Sequence, residues 1–422
     1  MTPPLASTIA EVLHPVLGGE LPVRLKVWDG SEAGPFGAPV VRLNSPDAIR
    51  RLLWAPGELG AAQAYVTGEL DVDGDLNSAF EHLWKVVRDR ELSGIRPTPA
   101  VLAGVGRIAR AAGALGTPPE PPASQARVKG KLHSLLRDRA AISHHYDLSN
   151  EFYGLILDPQ MAYSSAYWTD STETYGLEDA QRDKLDLVCR KIGLKPGMRL
   201  LDVGCGWGSL SLHAAQHYGA DVVGVTLSRE QKAFIDARIR DRGLEKTGFA
   251  GRGPQGTVEV RVQDYREIPD GPFDAVASLE MGEHVGQRNY PVYAAALFNN
   301  VVPGGRVLVQ QMSRRGKHPG GGPFIESFIA PDMHMRPVGE TVGFLEDAGL
   351  EVEGVEAMRK DYVRTLEAWY ANFEQNQEAA VDMMGEEIAR VWRLYLVGAL
   401  RSFAEGRMGV EQILCSRPAA RS

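Results

Sequence analysis

Short apolar runs alternate with amphipathic stretches along the second half of the chain. Runs of this length and composition are typical of parallel strands that are covered on both faces. The five strand candidates are Arg199–Val203, Asp221–Val225, Val258–Val262, Phe273–Ser278 and Arg306–Gln310. Helical periodicity lies between them, most clearly over Arg229–Arg242, and Val302–Gly305 has the composition of a turn. The alternation predicts an α/β fold with a doubly wound sheet, whose ligands bind at the carboxyl ends of the strands.

The first part of the chain has a different pattern, which predicts a smaller α+β N-terminal domain. Apolar and polar residues alternate over Pro22–Trp28 and again over Ala38–Leu43, as in half-buried strands. A helix is expected over Ser45–Trp54, because serine followed by proline is a common helix start. Proline-rich stretches stay extended and resist packing. The expected organisation is an N-terminal domain at 1–115, a proline-rich linker at 116–125 and a catalytic domain at 126–422.

The strand candidate Arg199–Val203 runs directly into three closely spaced glycines, Gly204, Gly206 and Gly208. Glycine lets the backbone turn tightly and approach a ligand without a Cβ atom in the way. The next helix is expected to begin near Ser209, so its unpaired N–H groups face the same crevice. An ordinary strand-to-helix turn is the alternative, but the acidic residue that ends the apolar run favours a cofactor-binding loop.

Composition narrows the class of protein. The chain has 46 basic and 54 acidic residues among 422, a net charge of −8, which argues against a nucleic-acid partner. Its three cysteines, an odd number at wide spacing, predict neither a disulfide framework nor a metal site. The sequence has no apolar run of about 18 residues and no secretory signal layout. We therefore expect a cytoplasmic protein whose contact with a membrane is peripheral, at its inner face.

Two segments beside the linker, residues 101–115 and 127–139, combine basic residues with leucine and alanine at helical spacing. Basic amphipathic helices bind anionic lipid headgroups. They also occur as solvent-facing helices packed on their own domain, and the sequence leaves both interpretations open.

Several further blocks carry a family resemblance. They are Ser143–Tyr153, Met161–Trp168, Val223–Gln231, Gln263–Arg266, Ser278–Gly286 and Asp361–Tyr370. Together with the glycine loop, they resemble the cyclopropane-fatty-acyl-phospholipid synthase family of methyltransferases that use S-adenosylmethionine (SAM). This family includes mycolic acid cyclopropane synthases and lipid C-methyltransferases. The resemblance covers residues 140–416 and implies a Rossmann-like methyltransferase fold with a helical lipid-binding cap. Residues 20–115 resemble the extra N-terminal, lipid-associated domain of longer bacterial members.

The resemblance implies a set of SAM-binding residues. In such a site Tyr163 and Ser164 close over the cofactor, Gln231 contacts the ribose, and Asp264 and Tyr265 flank the adenine. A helix cap is the alternative role for Asp264. The full expected set is Tyr163, Ser164, Asp202, Gly204, Cys205, Gly206, Gly208, Thr226, Leu227, Gln231, Asp264 and Tyr265.

The expected proton-removal site departs from the family pattern. Members hold a bicarbonate ion as base, and here Glu283 and Tyr362 match two of its partners. Ser165 stands where a cysteine is usual, and Gln310 or Gln311 stands where a histidine is usual. Gly282 replaces a phenylalanine, which predicts a larger pocket beside Glu283. His284 is either a stand-in for the lost histidine or an ordinary core residue.

These departures bear on the reaction product. The family methylates the double bond of an acyl chain in a phospholipid, and the resulting carbocation loses a proton to close a cyclopropane ring. If a hydride shifts first, proton loss gives a methylene group instead, as in the 10-methylene stearoyl lipids of actinobacterial relatives. We expect the methylene product and keep the cyclopropane as the alternative. The expected partners are a phospholipid surface, a second copy of the chain and a separate reductase.

Two other functions remain as alternatives. The cofactor loop alone would suit a small-molecule N- or O-methyltransferase. A lipid-binding protein without catalytic activity would explain the loss of the usual cysteine and histidine. The retained Glu283 and the intact glycine loop argue against the second alternative.

Overall fold

The computed structural model describes residues 3–92, 98–126, 149–246, 255–316 and 320–419. The basic segment 127–139, the block 143–148 and Lys317 and His318 lie outside the described residues. The chain forms two compact units, one of Met1–Gln125, Gly322–Phe324 and Val381–Arg401, the other of Ala126–Gly321, Ile325–Ala380 and Ser402–Ser422.

The first unit contains a small sheet with helices, as the alternating pattern predicts. Helices α1–α5 are Leu5–Leu13, Pro46–Trp54, Glu58–Val66, Leu76–Asp89 and Pro99–Ala111; strands β1–β4 are Arg24–Val27, Glu32–Ala33, Val40–Leu43 and Leu70–Val72. The strand order is β2-β1-β3-β4, with β1 and β3 parallel and the outer pairs antiparallel. The Ser45 hydroxyl accepts the Asp47 N–H at 3.2 Å and caps α2, whose first residue is Pro46.

Residues 116–125 have no helix or strand, but they are fastened to the first unit rather than free of it. The buried Arg51 guanidinium forms two hydrogen bonds with the Glu69 carboxylate, at 2.6 and 3.1 Å, and a third with the Glu120 carbonyl at 2.9 Å. The Gln63 amide also donates to Gln125 at 2.8 Å. The segment is thus mostly exposed and without regular structure, and the Glu120 carbonyl and the Gln125 side-chain oxygen attach it to the first unit.

Residues Val381–Arg401 belong to the first unit, whereas the predicted boundaries place them in the catalytic domain. Arg390 explains the difference. Its guanidinium donates to the carbonyls of Tyr65 and Leu70, at 2.6 and 3.1 Å, and pairs with the Asp71 carboxylate at 3.1 Å. It also lies 4.2 Å from the centre of the Tyr65 ring.

The described residues from 149 onward contain the large sheet. Helices α6–α15 are Asn150–Gly154, Leu177–Lys191, Ser209–Tyr218, Arg229–Asp241, Tyr290–Asn299, Pro323–Phe328, Val338–Asp347, Arg359–Gln375, Gln377–Met384 and Glu386–Ala404. Strands β5–β11 are Arg199–Val203, Asp221–Thr226, Val258–Val262, Phe273–Leu279, Val301–Arg314, Glu351–Ala357 and Met408–Ser416. The order is β10-β11-β9-β8-β5-β6-β7. The five strands from β9 to β7 are parallel, while β11 is antiparallel to both of its neighbours.

This sheet confirms the predicted doubly wound α/β fold, and the five predicted strands are present. One core covers each face: Leu200, Val222 and Leu308 point to one, and Leu201, Val223 and Val309 to the other. Val302–Gly305 is not a separate turn, because it lies within β9. There the pairing with β8 shifts from Val301 to Arg306, so the extra residues bulge out of the ladder.

Among the described residues, none of the helices combines the length and apolar character that crossing a bilayer requires.

We expect replacement of Arg51 by methionine to lower the free energy of unfolding by about 3 kcal/mol, because the Glu69 charge loses its buried partner. The matched control is Arg42→Met, since Arg42 makes a similar two-point pair with Asp73 but on the surface. Its effect on stability should lie within experimental error. Urea unfolding of the full chain compares the two variants, and equal losses would contradict the assigned role of burial.

Candidate active site

A cleft opens at the carboxyl ends of β5, β6 and β8, where the sheet topology predicts a ligand. The loop after β5 folds back on β6, since the Gly204 and Cys205 N–H groups both donate to the Val225 carbonyl at 3.0 Å. Gly204 has a φ of 79°, and a Cβ atom there would lie 2.5 Å from the Met281 side chain. Glycine is therefore required for this close approach.

Most of the expected SAM-binding residues line this one cleft. They are Tyr163, Ser164, Asp202, Gly204, Cys205, Gly206, Thr226, Leu227, Gln231, Asp264 and Tyr265. Gly208 is the exception: it is the left-handed N-cap of α8, and a Cβ atom there would meet Ile235 at 3.0 Å. Its role is to start the helix against the core, so its assignment to the cofactor is not supported by its position.

Side chains at the end of β6 are held by one another. The Thr226 hydroxyl donates to the Gln231 amide oxygen at 2.7 Å and accepts the Ser228 N–H at 3.2 Å.

Asp264, which follows β7, accepts the backbone N–H of Arg266 at 2.9 Å and pairs with its guanidinium at 2.7 Å. The cap that the sequence allowed for Asp264 is thus present, in a residue that also lines the cleft.

Asp202 is a buried acid at the base of the glycine loop. Its carboxylate accepts the Ser211 hydroxyl at 2.7 Å. Burial raises the pKa of Asp202 to about 6, against the lowering effects of Ser211 and of the Lys184 charge. The thiol of Cys205 is also buried, which raises its pKa well above its usual range, so it stays protonated.

The segment before α7 is fixed to the body of the second unit. Asp158 accepts the N–H groups of Gln160 and Ala162 at 3.0 and 2.9 Å. The buried Gln181 amide donates to the Ser164 carbonyl at 2.9 Å. These contacts hold the segment in one conformation over the cleft.

Helix α13 forms hydrogen bonds with the other end of this segment, at residues 166–168. The Thr365 hydroxyl accepts the Ala166 N–H at 3.1 Å and the Trp168 indole N–H at 3.2 Å. The Trp168 backbone N–H donates to Asp361 at 2.9 Å. The family block around Tyr362 therefore positions the block around Tyr163.

A line of aromatic rings leads away from the cleft. Ring centres of Tyr163 and Trp369 are 5.3 Å apart, those of Trp369 and Tyr362 5.9 Å, and those of Tyr362 and Phe403 4.5 Å. On the cleft side, Tyr163 also meets Trp207 at 6.3 Å. Aromatic faces attract positive charge, so this wall suits a cationic reaction centre.

The buried end of the cleft contains a glutamate that the sequence analysis did not single out. Glu280 lines the cleft, and its Oε1 atom accepts the Ser165 backbone N–H at 2.8 Å and the Gln310 amide at 2.7 Å. Its Oε2 atom is buried, and no donor among the described residues meets the geometry of a hydrogen bond to it, although the Tyr362 hydroxyl acts on the carboxyl and lowers its pKa. The backbone of Glu280 is left-handed, with φ of 51°, which costs energy in a residue other than glycine and is typical of functional sites.

Gln310 is oriented by a chain of amides. Its oxygen accepts the Gln412 amide at 2.9 Å, and the Gln412 oxygen accepts the Lys191 ammonium at 2.8 Å. The direction of these bonds turns the Gln310 N–H group toward Glu280. Gln412, buried on β11, is a second positioning residue that the sequence did not reveal.

Glu283 lies in the same cluster but in a different environment. Its Oε1 atom accepts the Met312 backbone N–H, and its Oε2 atom has no partner in the described part of the chain. Burial and then the Glu280 charge raise the pKa of Glu283 to about 8. For Glu280, burial also raises the pKa, but Ser165, Gln310, Lys184 and Tyr362 oppose the increase. The two carboxyl groups therefore differ in their surroundings, because four groups stabilise the charged form of Glu280, whereas the charge of Glu280 disfavours ionisation of Glu283.

The structure resolves the remaining expectations about this cluster. Of the two glutamines, Gln310 faces it, while the Gln311 oxygen accepts the buried Tyr290 hydroxyl. The expectation of a larger pocket at Gly282 is wrong, since a Cβ atom there would collide with the Gln311 side chain. The Ser165 hydroxyl donates to the Ala166 carbonyl at 3.0 Å, so its backbone N–H is the group that faces Glu280.

His284 lines the cleft beside Glu280. Desolvation lowers the pKa of His284 to about 4, which leaves the imidazole neutral at physiological pH. A neutral ring cannot replace the positive charge that an imidazolium would bring to an anion site.

Bicarbonate does not fit the donors that the cluster provides. The Ser165 and Gln310 N–H groups already donate hydrogen bonds to the Glu280 carboxylate, and the Met312 N–H group donates one to Glu283. Of the expected bicarbonate partners, the Tyr362 hydroxyl also acts on Glu280. A further anion would therefore compete with a buried carboxylate for the donors of the described cluster, which is strongly unfavourable.

Lys184 supplies a buried positive charge next to the cleft. Its ammonium donates to the Ser164 hydroxyl at 2.7 Å, and burial lowers its pKa to about 8. The charges of Glu280, Asp158 and Asp202 act in the opposite direction and favour the ammonium.

We expect Lys184→Met to weaken SAM binding by about tenfold, which corresponds to about 1.4 kcal/mol, because Ser164 loses its partner and Asp202 its neighbouring charge. Isothermal titration calorimetry measures the change. The matched control is Lys195→Met, since Lys195 is exposed. Equal SAM affinity for both variants would show that the buried ammonium does not support the cleft.

Comparisons with known proteins identify the family of this chain. The family model described as mycolic acid cyclopropane synthetase matches residues 133–413. A probable fatty acid methyltransferase of Pseudomonas putida is 36% identical over 408 residues, which cover 95% of this chain and 93% of that protein. The cyclopropane-fatty-acyl-phospholipid synthase of Escherichia coli (strain K12) is 32% identical over 377 residues, covering 89% of this chain and 87% of that protein.

A solved structure leads to the same assignment. The crystal structure of a mycolic acid cyclopropane synthase in complex with S-adenosylhomocysteine and CTAB aligns with a TM-score of 0.59 and 29% identity, over 66% of this chain and 98% of that one. The family match covers more than half of the chain and includes the cleft and the carboxylate cluster. The chain therefore belongs to the mycolic acid cyclopropane synthetase family.

Proposed function

We propose that this enzyme uses SAM to methylate the double bond of an unsaturated acyl chain in a phospholipid and releases a mid-chain methylene product. The observation that carries the proposal is the combination of a SAM-type cleft, an aromatic wall and a buried carboxylate within one site. Two relatives, a probable fatty acid methyltransferase and a cyclopropane-fatty-acyl-phospholipid synthase, support a lipid substrate.

Each part of the site meets a demand of alkene methylation. SAM supplies an electrophilic methyl group when bound, and all of the expected cofactor residues except Gly208 line the cleft. An alkene is a weak nucleophile, so the two reactants must be held in line by a rigid frame, which Thr365 and Gln181 provide. The aromatic line from Tyr163 to Phe403 tolerates the carbocation that follows. Proton loss requires a general base within reach.

The cluster favours the methylene branch. A cyclopropane forms when the base removes a proton from the new methyl group while the cation is on the neighbouring carbon. The methylene forms when a hydride shifts first, so a base that acts later favours it. Ser165 and Gln310 remove the usual thiol and imidazole from the site, and the remaining hydrogen bonds hold Glu280 at the end of β8. The cyclopropane remains the second candidate, supported by the similarity to the cyclopropane-fatty-acyl-phospholipid synthase of Escherichia coli.

The remaining partners follow from this chemistry. The substrate resides in a bilayer, so we propose peripheral association with the inner membrane face, helped by the N-terminal residues 1–115 as a lipid-associated domain. Conversion of a methylene to a methyl branch needs a hydride donor, which implies a separate reductase. We also propose a homo-oligomer.

Incubation of the enzyme with SAM and oleoyl phosphatidylglycerol vesicles should yield exomethylene proton signals in the NMR spectrum of the released fatty esters. The methylene and cyclopropane products have the same mass, so NMR is the measurement that separates them. High-field ring protons would replace the methylene proposal by the cyclopropane alternative. Unchanged lipid, with methylation of soluble amines or phenols, would favour a small-molecule methyltransferase instead.

A further inference from the structure

We propose that the Glu280 carboxylate is the proton acceptor of this reaction and takes the place that bicarbonate has in the family pattern. The inference rests on the proposed function, because it names the base of that reaction. It starts from the disagreement between the expected bicarbonate and the donors of the cluster.

The first argument is geometric. A bound anion in this site would need the Ser165 and Gln310 N–H groups, and Glu280 Oε1 occupies both, at 2.8 and 2.7 Å. The side chain therefore brings a carboxylate oxygen to the place where an exogenous anion would bind. Because Glu280 also lines the cofactor cleft, the same carboxylate borders the space in which methyl transfer would occur.

The second argument concerns the second oxygen atom of the Glu280 carboxylate, Oε2. Oε1 is engaged by its two donors, whereas no donor among the described residues meets the geometry of a hydrogen bond to the buried Oε2. The Tyr362 hydroxyl acts on the same carboxyl and lowers its pKa, and it leaves a lone pair of the carboxylate unoccupied. Buried polar atoms are normally satisfied, so an exception calls for an explanation. An oxygen that must accept a proton from the substrate has to keep a lone pair available.

The third argument is the backbone conformation. Glu280 directly follows β8 with φ of 51°, a conformation that glycine adopts without cost. A glutamate there is strained, yet its N–H donates to the Gln310 carbonyl at 2.7 Å and its side chain binds the Gln310 amide. Strain of this kind persists where the surrounding structure enforces it, most often at functional positions.

The proposed step balances in atoms and charge. The alkene electron pair forms the bond to the methyl carbon as the carbon–sulfur bond breaks, and the neighbouring carbon becomes cationic. A hydride then moves with its electron pair to that carbon, which transfers the cation to the methylated carbon. A C–H bond of the new methyl group breaks, its electrons form the exocyclic double bond, and its proton passes to Glu280 Oε2. The glutamic acid returns this proton to water before the next turnover.

The principal test is Glu280→Gln, which preserves shape but cannot accept the proton. We expect kcat on oleoyl vesicles to fall by about 100-fold or more, while calorimetry shows SAM affinity close to that of the wild type. A kcat above half of the wild-type value would overturn the proposal. Wild-type enzyme that fails to methylate the lipid contradicts the proposed function itself, so the two failures are distinguishable.

Dependence on bicarbonate supplies an independent test. The wild type should keep its full rate in buffer depleted of carbon dioxide, whereas Glu280→Gly, which vacates the donors and relieves the strained backbone, should be inactive there. Added bicarbonate should restore activity to that variant, and chloride at equal ionic strength should not. A wild-type rate that rises with bicarbonate concentration would overturn the proposal.

A pH profile tests the positioning chain. The charged or titratable groups that act on Glu280 are Lys184, Glu283 and Tyr362. Gln412→Met leaves them in place but removes the group that orients Gln310. The Glu280 pKa should rise, so the acid limb of the kcat profile should move to higher pH, with kcat at neutral pH reduced by about tenfold.

The matched control is Gln216→Met, since Gln216 lies on α8 and forms a hydrogen bond with Arg242. Identical pH profiles for the two variants would contradict the positioning role.

Discussion

The burial of like charges at the carboxyl end of the sheet is the constraint on which the site depends. Glu280 and Glu283 lie in one desolvated cluster, and the charge of Glu280 raises the pKa of Glu283. The fold resolves the conflict by distributing donors unequally. Glu280 receives a backbone N–H and an oriented side-chain amide and is favoured by the Lys184 charge, whereas the Met312 N–H serves Glu283. Unequal surroundings separate the acidities of two neighbouring carboxyl groups.

The elements around this cluster serve to keep it dry and fixed. Thr365 on α13 holds the segment that carries Ser165, while β11 contributes Gln412 and thereby fixes the direction of the Gln310 amide. Strand β11, which pairs with β9 in the antiparallel direction, therefore contributes a side chain to the site as well as extending the sheet. It brings a polar residue from the end of the chain into register with Gln310 on β9.

The sheet and the cofactor cleft were predictable because both depend on local patterns. Continuous apolar runs identified the strands, and the glycine spacing identified the loop. The carboxylate cluster was not predictable in the same way. A glutamate after a strand, such as Glu280, looks like any turn acid until its donors are known, and the choice between Gln310 and Gln311 depends on which side of β9 faces the site. The contact of Gln310 with Gln412 joins residues 102 positions apart, so no local pattern contains it.

A base that belongs to the polypeptide changes the catalytic cycle. An exchangeable ion carries its proton away when it dissociates, but a side chain keeps the proton and must be reset in place. Ser165 and Gln310 are fully buried around Glu280, so water has restricted access to the atom that must lose the proton. Reionisation therefore becomes a step of its own after product formation, and a solvent deuterium isotope effect on multiple turnover, absent from the first turnover, is its kinetic signature.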